Sequence, residues 1–143
     1  MSLPIASPVE ITALDDEIVS TLRASMPGLQ AVYRYGSAGG IYERTESDID
    51  LAVLADAPLD FATQYRLAAE LARLTGREID LNDMRRLPVT LRVQIVTCGV
   101  RLFAANPAAA EEYDSRVLSD YAYLNEARRG ILDDVRVRGS IHG

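Results

Sequence analysis

The chain is poor in the residues that carry most covalent and metal chemistry. Its 143 residues include one cysteine, Cys98, one histidine, His142, and no tryptophan. A lone cysteine forbids an intramolecular disulfide, which suits a reducing compartment and predicts a cytoplasmic protein. Cys98 stands in an apolar stretch and reads as a small core residue rather than a nucleophile. A single histidine near the end of the chain excludes serine–histidine catalysis and histidine-rich zinc sites. No segment approaches 18 uninterrupted apolar residues, so no membrane span is expected. The opening MSLPIASPVE lacks the basic region and apolar run of a signal peptide. There is no basic patch either. With 15 basic against 21 acidic residues the formal net charge is −6, which argues against nonspecific binding to nucleic acid.

What is present is an ordinary globular composition, 48% hydrophobic and 25% charged. No repeat, low-complexity tract or internal linker interrupts it, so one domain over residues 1–143 is expected. Its last stretch, residues 129–143, mixes charges with scattered aliphatics and reads as a flexible or partner-ordered tail. Ser7-Pro8-Val9-Glu10 reads as a capping box with proline at the first helical position. Ile11, Leu14, Ile18 and Leu22 then make one apolar face, and Met26-Pro27-Gly28 stops the helix. A strand follows from Leu29 to Tyr35. Asp60 is expected to cap a second long helix with Phe61, Tyr65, Ala68 and Ala72 along one side, ended by Gly76. Pro88 to Cys98 reads as strand on propensity and as helix on the placement of its proline. Asn106-Pro107 opens a final helix, where Tyr113, Val117, Tyr121 and Leu124 fall at helical spacing. Leu118 and Tyr123 extend apolar surface beyond that stripe.

The chemistry concentrates between Tyr35 and Leu54, YGSAGGIYERTESDIDLAVL. Gly36 permits a sharp turn that exposes backbone N–H groups, and Ser37 adds a hydroxyl. Such concavities bind phosphate oxygens. Ten residues separate Ser37 from Asp48. Side chains alternate along a strand, so Asp48 and Asp50 share a face while Ile49 and Leu51 point the other way. Two like charges so placed repel, and folding alone gives no reason for them. A divalent cation does: Mg²⁺ takes one or two carboxylates together with substrate phosphates and water. Two such ions can activate an attacking oxygen and stabilise a leaving one. Taken alone, the Asp-x-Asp pair is better explained by chance or by Ser47-Asp48 capping a turn. With the Gly-Ser turn at fixed spacing, the nucleotidyl-transfer reading prevails.

A third carboxylate is available. Arg77-Glu78-Ile79-Asp80-Leu81 alternates polar and apolar, with Ile79 and Leu81 toward the core and Asp80 outward beside Glu78. Asp80 is the candidate third metal ligand and the group that helps deprotonate an attacking hydroxyl; Glu78 and Asp83 are weaker candidates.

Gly36-Ser37, the ten-residue gap, Asp48-x-Asp50 and a later Asp80 together resemble the DNA polymerase β-type nucleotidyltransferase superfamily. Small size and layout are similar to its minimal nucleotidyltransferase branch, antitoxins paired with HEPN ribonuclease toxins, over Val9 to Asn125. The resemblance implies an α+β fold, a small mixed sheet packed with helices and closed by a C-terminal helix. It also favours helix over Pro88 to Cys98, then a short strand from Val100 to Phe103. By the same resemblance Asp48, Asp50 and Asp80 hold two Mg²⁺ ions, and Gly36 and Ser37 hold the β,γ-phosphates of ATP. AMP would pass to a tyrosine of a cognate HEPN toxin in a hetero-oligomer, with no nucleic acid or membrane as partner. The loop departs from the family: Ala38-Gly39-Gly40-Ile41 carries no cation, and Arg44 is the nearest one able to meet the triphosphate. That departure keeps open an antitoxin that only occludes its toxin, and likeness around the motif keeps open a small-molecule nucleotidyltransferase.

Overall fold

The computed structural model describes residues 12–36 and 48–142, with side chains to residue 132. The elements run α1 (Ala13–Ser25), β1 (Leu29–Tyr35), β2 (Ile49–Ala55), α2 (Phe61–Thr75), β3 (Ile79–Asp83), a 3-10 turn (Met84–Arg86), α3 (Val89–Cys98), β4 (Val100–Ala104) and α4 (Pro107–His142). The strands form one sheet in the order β3-β2-β1-β4. β1 runs antiparallel to β2 and to β4, whereas β2 and β3 are parallel and joined through α2. This is the mixed sheet with helices that the sequence predicts.

Alternation along the strands divides the core in two. On one face Val32, Leu51, Val53 and Leu81 bury against Ile18 and Leu22 of α1 and Leu67 and Leu71 of α2. On the other, Ala31, Tyr33, Ala52 and Leu54 pack with Met84 and Ile95, and with Leu91, Val96 and Tyr113 at their margin. That second face is the one on which Tyr35 and Asp50 stand opposite each other at the end of the β1–β2 ladder.

Local signals place the elements. Thr12 caps α1, accepting from the Asp15 amide while the Asp15 carboxylate accepts from Thr12 N–H, a reciprocal box. The Ser7-Pro8 start expected from the sequence lies outside the described residues, and the described helix begins at Ala13. Asp60 caps α2 through the Thr63 amide, and Gly76 ends it in a left-handed conformation. The 10-residue α3 spans Val89–Cys98, so tertiary context overrides the β-propensity of its valines; Pro88 precedes its first turn. Asn106 Oδ1 accepts from the amides of Ala108 and Ala109 at the start of α4, which continues to His142, past the point where the tail was expected.

Two expectations about side chains fail. Phe61 and Tyr65 are 77% and 79% exposed, because the inward stripe of α2 is Leu67 and Leu71, with Gln64 donating to the Leu81 carbonyl on the same side. Phe61 instead carries the Arg86 guanidinium over its ring. Cys98 is exposed rather than buried: it is the last residue of α3, and the helix turns Ile95 to the core.

Candidate active site

The carboxylates are positioned by strand register. In the parallel β2–β3 ladder Asp50 pairs with Asp80, and the next residues on that face are Ala52 and Asn82. Across the antiparallel ladder Asp50 faces Tyr35. One row of the sheet therefore reads Tyr35, Asp50, Asp80, on three adjacent strands. Asp48 lies just before β2 and is exposed, as is Asp80, while Asp50 is half-buried.

Crowding of negative charge is visible at Asp50. Burial raises its carboxyl above the ordinary range, and the charges of Asp80 and Asp48 raise it further. The third element of the site, Gly36, meets the same side chain. Gly36 has φ +82°, and a Cβ on it would collide with Asp50 Oδ2. The turn can only pass this close to Asp50 because the residue is glycine. A cavity of about 380 Å³ opens beside the turn, lined by Tyr35, Gly36, Leu91, Gln94, Cys98 and Gly99.

Tyr35 closes the floor of the site. Asn82 Nδ2 donates to its hydroxyl at 3.0 Å. Burial raises the phenol above its usual range; the Asn82 hydrogen bond lowers it, and Asp80 and Asp50 push it up again. The phenol is therefore held protonated near both carboxylates. Behind it, Tyr33 Oη donates to Asp114 Oδ1 at 2.6 Å and Arg101 Nη1 donates to Asp114 Oδ2 at 3.0 Å, which ties β1 and β4 to α4. Arg34 on the opposite face is paired at 3.0 Å with the buried Asp15 of α1. The end of β1 is thus braced on both sides.

Of the site residues expected from sequence, the structure brings together Gly36, Asp50 and Asp80, with Asp48 adjoining. Ser37 and Arg44 lie outside the described residues. Among the described residues no three carboxylates, cysteines or histidines are gathered tightly enough to hold an ion by themselves. Asn82 was missed, although its place two residues after Asp80 puts it on the same face. Asp83, a weaker candidate, is buried on the other side, where it accepts from the Leu59 and Arg85 amides; its role is structural.

Residues 16–108 match the family of polymerase beta nucleotidyltransferases, which is most of the chain. The chain belongs to this nucleotidyltransferase family. It is 35% identical over 121 residues to the protein adenylyltransferase MntA of Shewanella oneidensis, covering 85% of this chain and 86% of the relative. Among solved structures, this nucleotidyltransferase resembles a toxin–antitoxin complex with AMP-PNP, at TM-score 0.75 and 35% identity over 85% of this chain and 97% of the other. It also resembles the MNT antitoxin complexed with the tri-AMPylated HEPN toxin of Shewanella oneidensis, at TM-score 0.71 and 34% identity over 85% and 95%. No helix among the described residues is long and apolar enough to cross a membrane.

Proposed function

We propose that this nucleotidyltransferase is an antitoxin that transfers AMP from ATP to a tyrosine of a HEPN-family toxin, with which it forms a hetero-oligomer. The observation that carries the reading is the in-register pair Asp50–Asp80 with Gly36 seated against Asp50. The relatives supply the chemistry: one is a protein adenylyltransferase, and another was captured beside its AMPylated toxin.

Asp50 and Asp80, with Asp48 at the strand entrance, would hold Mg²⁺. The fit is chemical. The donors are all oxygen, the pair repels itself without a cation, and Mg²⁺ takes few protein carboxylates and fills its remaining positions with phosphate and water. When bound, the metal supplies charge neutralisation on the phosphates. The chain's own residues do the rest. Gly36 and Ser37 would hold the β,γ-phosphates, Arg44 would meet the triphosphate, and the cavity beside Gly36 would take the rest of the nucleotide. The acceptor phenol oxygen bonds to the α-phosphorus as the bond from that phosphorus to the bridging oxygen breaks. Pyrophosphate leaves, and Asp80 takes the phenol proton. A tyrosine O–AMP ester remains on the toxin.

Pyrophosphate release measured with toxin, ATP and Mg²⁺ tests this assignment. Asp80→Asn is expected to slow release on the order of 10²–10⁴-fold, the usual contribution of a positioned base. Release at the unaltered rate removes Asp80 from the mechanism.

A further inference from the structure

Asn82 has no part in the metal or phosphate chemistry above, yet it is tied directly to the floor of the site. It stands on β3 opposite Ala52, one step along the face from Asp80. Its partner Tyr35 stands on β1 opposite Asp50. The 3.0 Å bond between Asn82 Nδ2 and the Tyr35 hydroxyl therefore spans the whole width of β2. Ala52, the β2 residue paired with Asn82, is fully buried in the cluster against which Tyr35 packs. A phenol oxygen that accepts from an amide keeps its own hydrogen to donate. The charges that act on this phenol from the site are those of Asp80 and Asp50.

We propose that Tyr35 and Asn82 form a positioning pair for the acidic cluster. Asn82 fixes the phenol across β2, and the phenol offers a hydrogen bond to the oxygens gathered at Asp50 and Asp80. The inference rests on the reading of those carboxylates as metal ligands. Side chains of this kind orient the ligands themselves, and their loss typically costs 10–100-fold in metal affinity or activity. Tyr35 is the residue immediately before Gly36, so the same ring links the phosphate turn to the carboxylates. A rigid floor on three strands is also what holds a site to productive geometry.

The test is Mn²⁺ binding to the full-length chain, followed by the paramagnetic signal of free Mn²⁺, with and without AMP-PNP. Tyr35→Phe keeps the ring and removes the hydroxyl; Asn82→Ala removes the anchor. Each is expected to weaken Mn²⁺ binding about 10–100-fold. The double variant is expected to be no weaker than the worse single one, because both changes remove one hydrogen-bonded unit. Tyr33→Phe, which loses a hydrogen bond to Asp114 on the same face, is expected to lower the melting temperature and leave Mn²⁺ binding unchanged. Unaltered Mn²⁺ affinity in Tyr35→Phe and Asn82→Ala, with affinity lost in Asp50→Asn, would overturn the positioning role alone. Fully additive losses would overturn the pairing. Unaltered affinity in Asp50→Asn would overturn the metal reading and this inference with it.

Discussion

Gly36 carries the tightest constraint of any single residue in the site. Its positive φ is strained for any side chain, and the carboxylate of Asp50 occupies the space a Cβ would take. Gly36→Ala is expected to destabilise the protein by more than about 1 kcal/mol, the usual scale for alanine forced into that region, and to abolish transfer. A denaturant midpoint and a transfer assay check both. Asp50 makes the opposite prediction for stability. Its folded carboxyl is raised by burial and by Asp80 and Asp48, so the folded state holds its proton more tightly than the unfolded chain. Stability from this group is present below the ordinary carboxylate range and is lost as pH rises through the raised value. In metal-free protein, Asp50→Asn is therefore expected to raise the melting temperature at neutral pH, with the gain vanishing in acid. A melting series from pH 3 to pH 8 in chelator, roughly the span of carboxylate titration, measures it. A melting temperature unchanged at neutral pH would contradict the crowding of charge at this position. The motif singled out Gly36, Asp50 and Asp80 in the sequence, and strand register brings them together at one end of the sheet. Asn82 was not legible: its role depends on Tyr35 reaching across a strand, which only register reveals.

Among the elements, those bounded by strong punctuation were readable. β1 between Pro27-Gly28 and Gly36, and α2 between Asp60 and Gly76, lie where the sequence places them. The internal face of α2 did not follow from its aromatics. Phe61, Tyr65, Ala68 and Ala72 are helically spaced, but so are Gln64, Leu67 and Leu71. Leu67 and Leu71 are fully buried and Gln64 bonds to β3, while of the first set Ala68 packs against the core and both aromatics stay exposed. Leu67→Ala is accordingly expected to cost about 2–5 kcal/mol, whereas Tyr65→Ala stays within about 0.5 kcal/mol. At the described start of α1, Asp15 does double duty. It closes the Thr12 box and is the buried partner of Arg34. Asp15→Ala leaves Arg34 without that carboxylate and is expected to cost about 3–5 kcal/mol, seen in urea unfolding. A loss below about 1 kcal/mol, the scale of a cap alone, would show that the ion pair adds nothing.

At the scale of the whole molecule, sheet order does the work of assembly. Placing β2 between β1 and β3 brings the Gly36 turn, Asp50 and Asp80 to one end, with helices covering both faces. The family resemblance read from the motif implied a small mixed sheet, and the relatives share that architecture. Helix α4 reaches farther than the sheet requires: its 36 residues span about 54 Å. Leu118, Tyr123, Ile131 and Leu132 along it stay exposed.

The most direct measurement is the intact mass of the HEPN toxin after incubation with this protein, ATP and Mg²⁺, with an Asp48→Asn/Asp50→Asn variant alongside. Mass gains in whole AMP units on a toxin tyrosine, absent with the variant, are the predicted result. An unmodified toxin that both proteins still silence would contradict adenylylation and leave an antitoxin acting by occlusion.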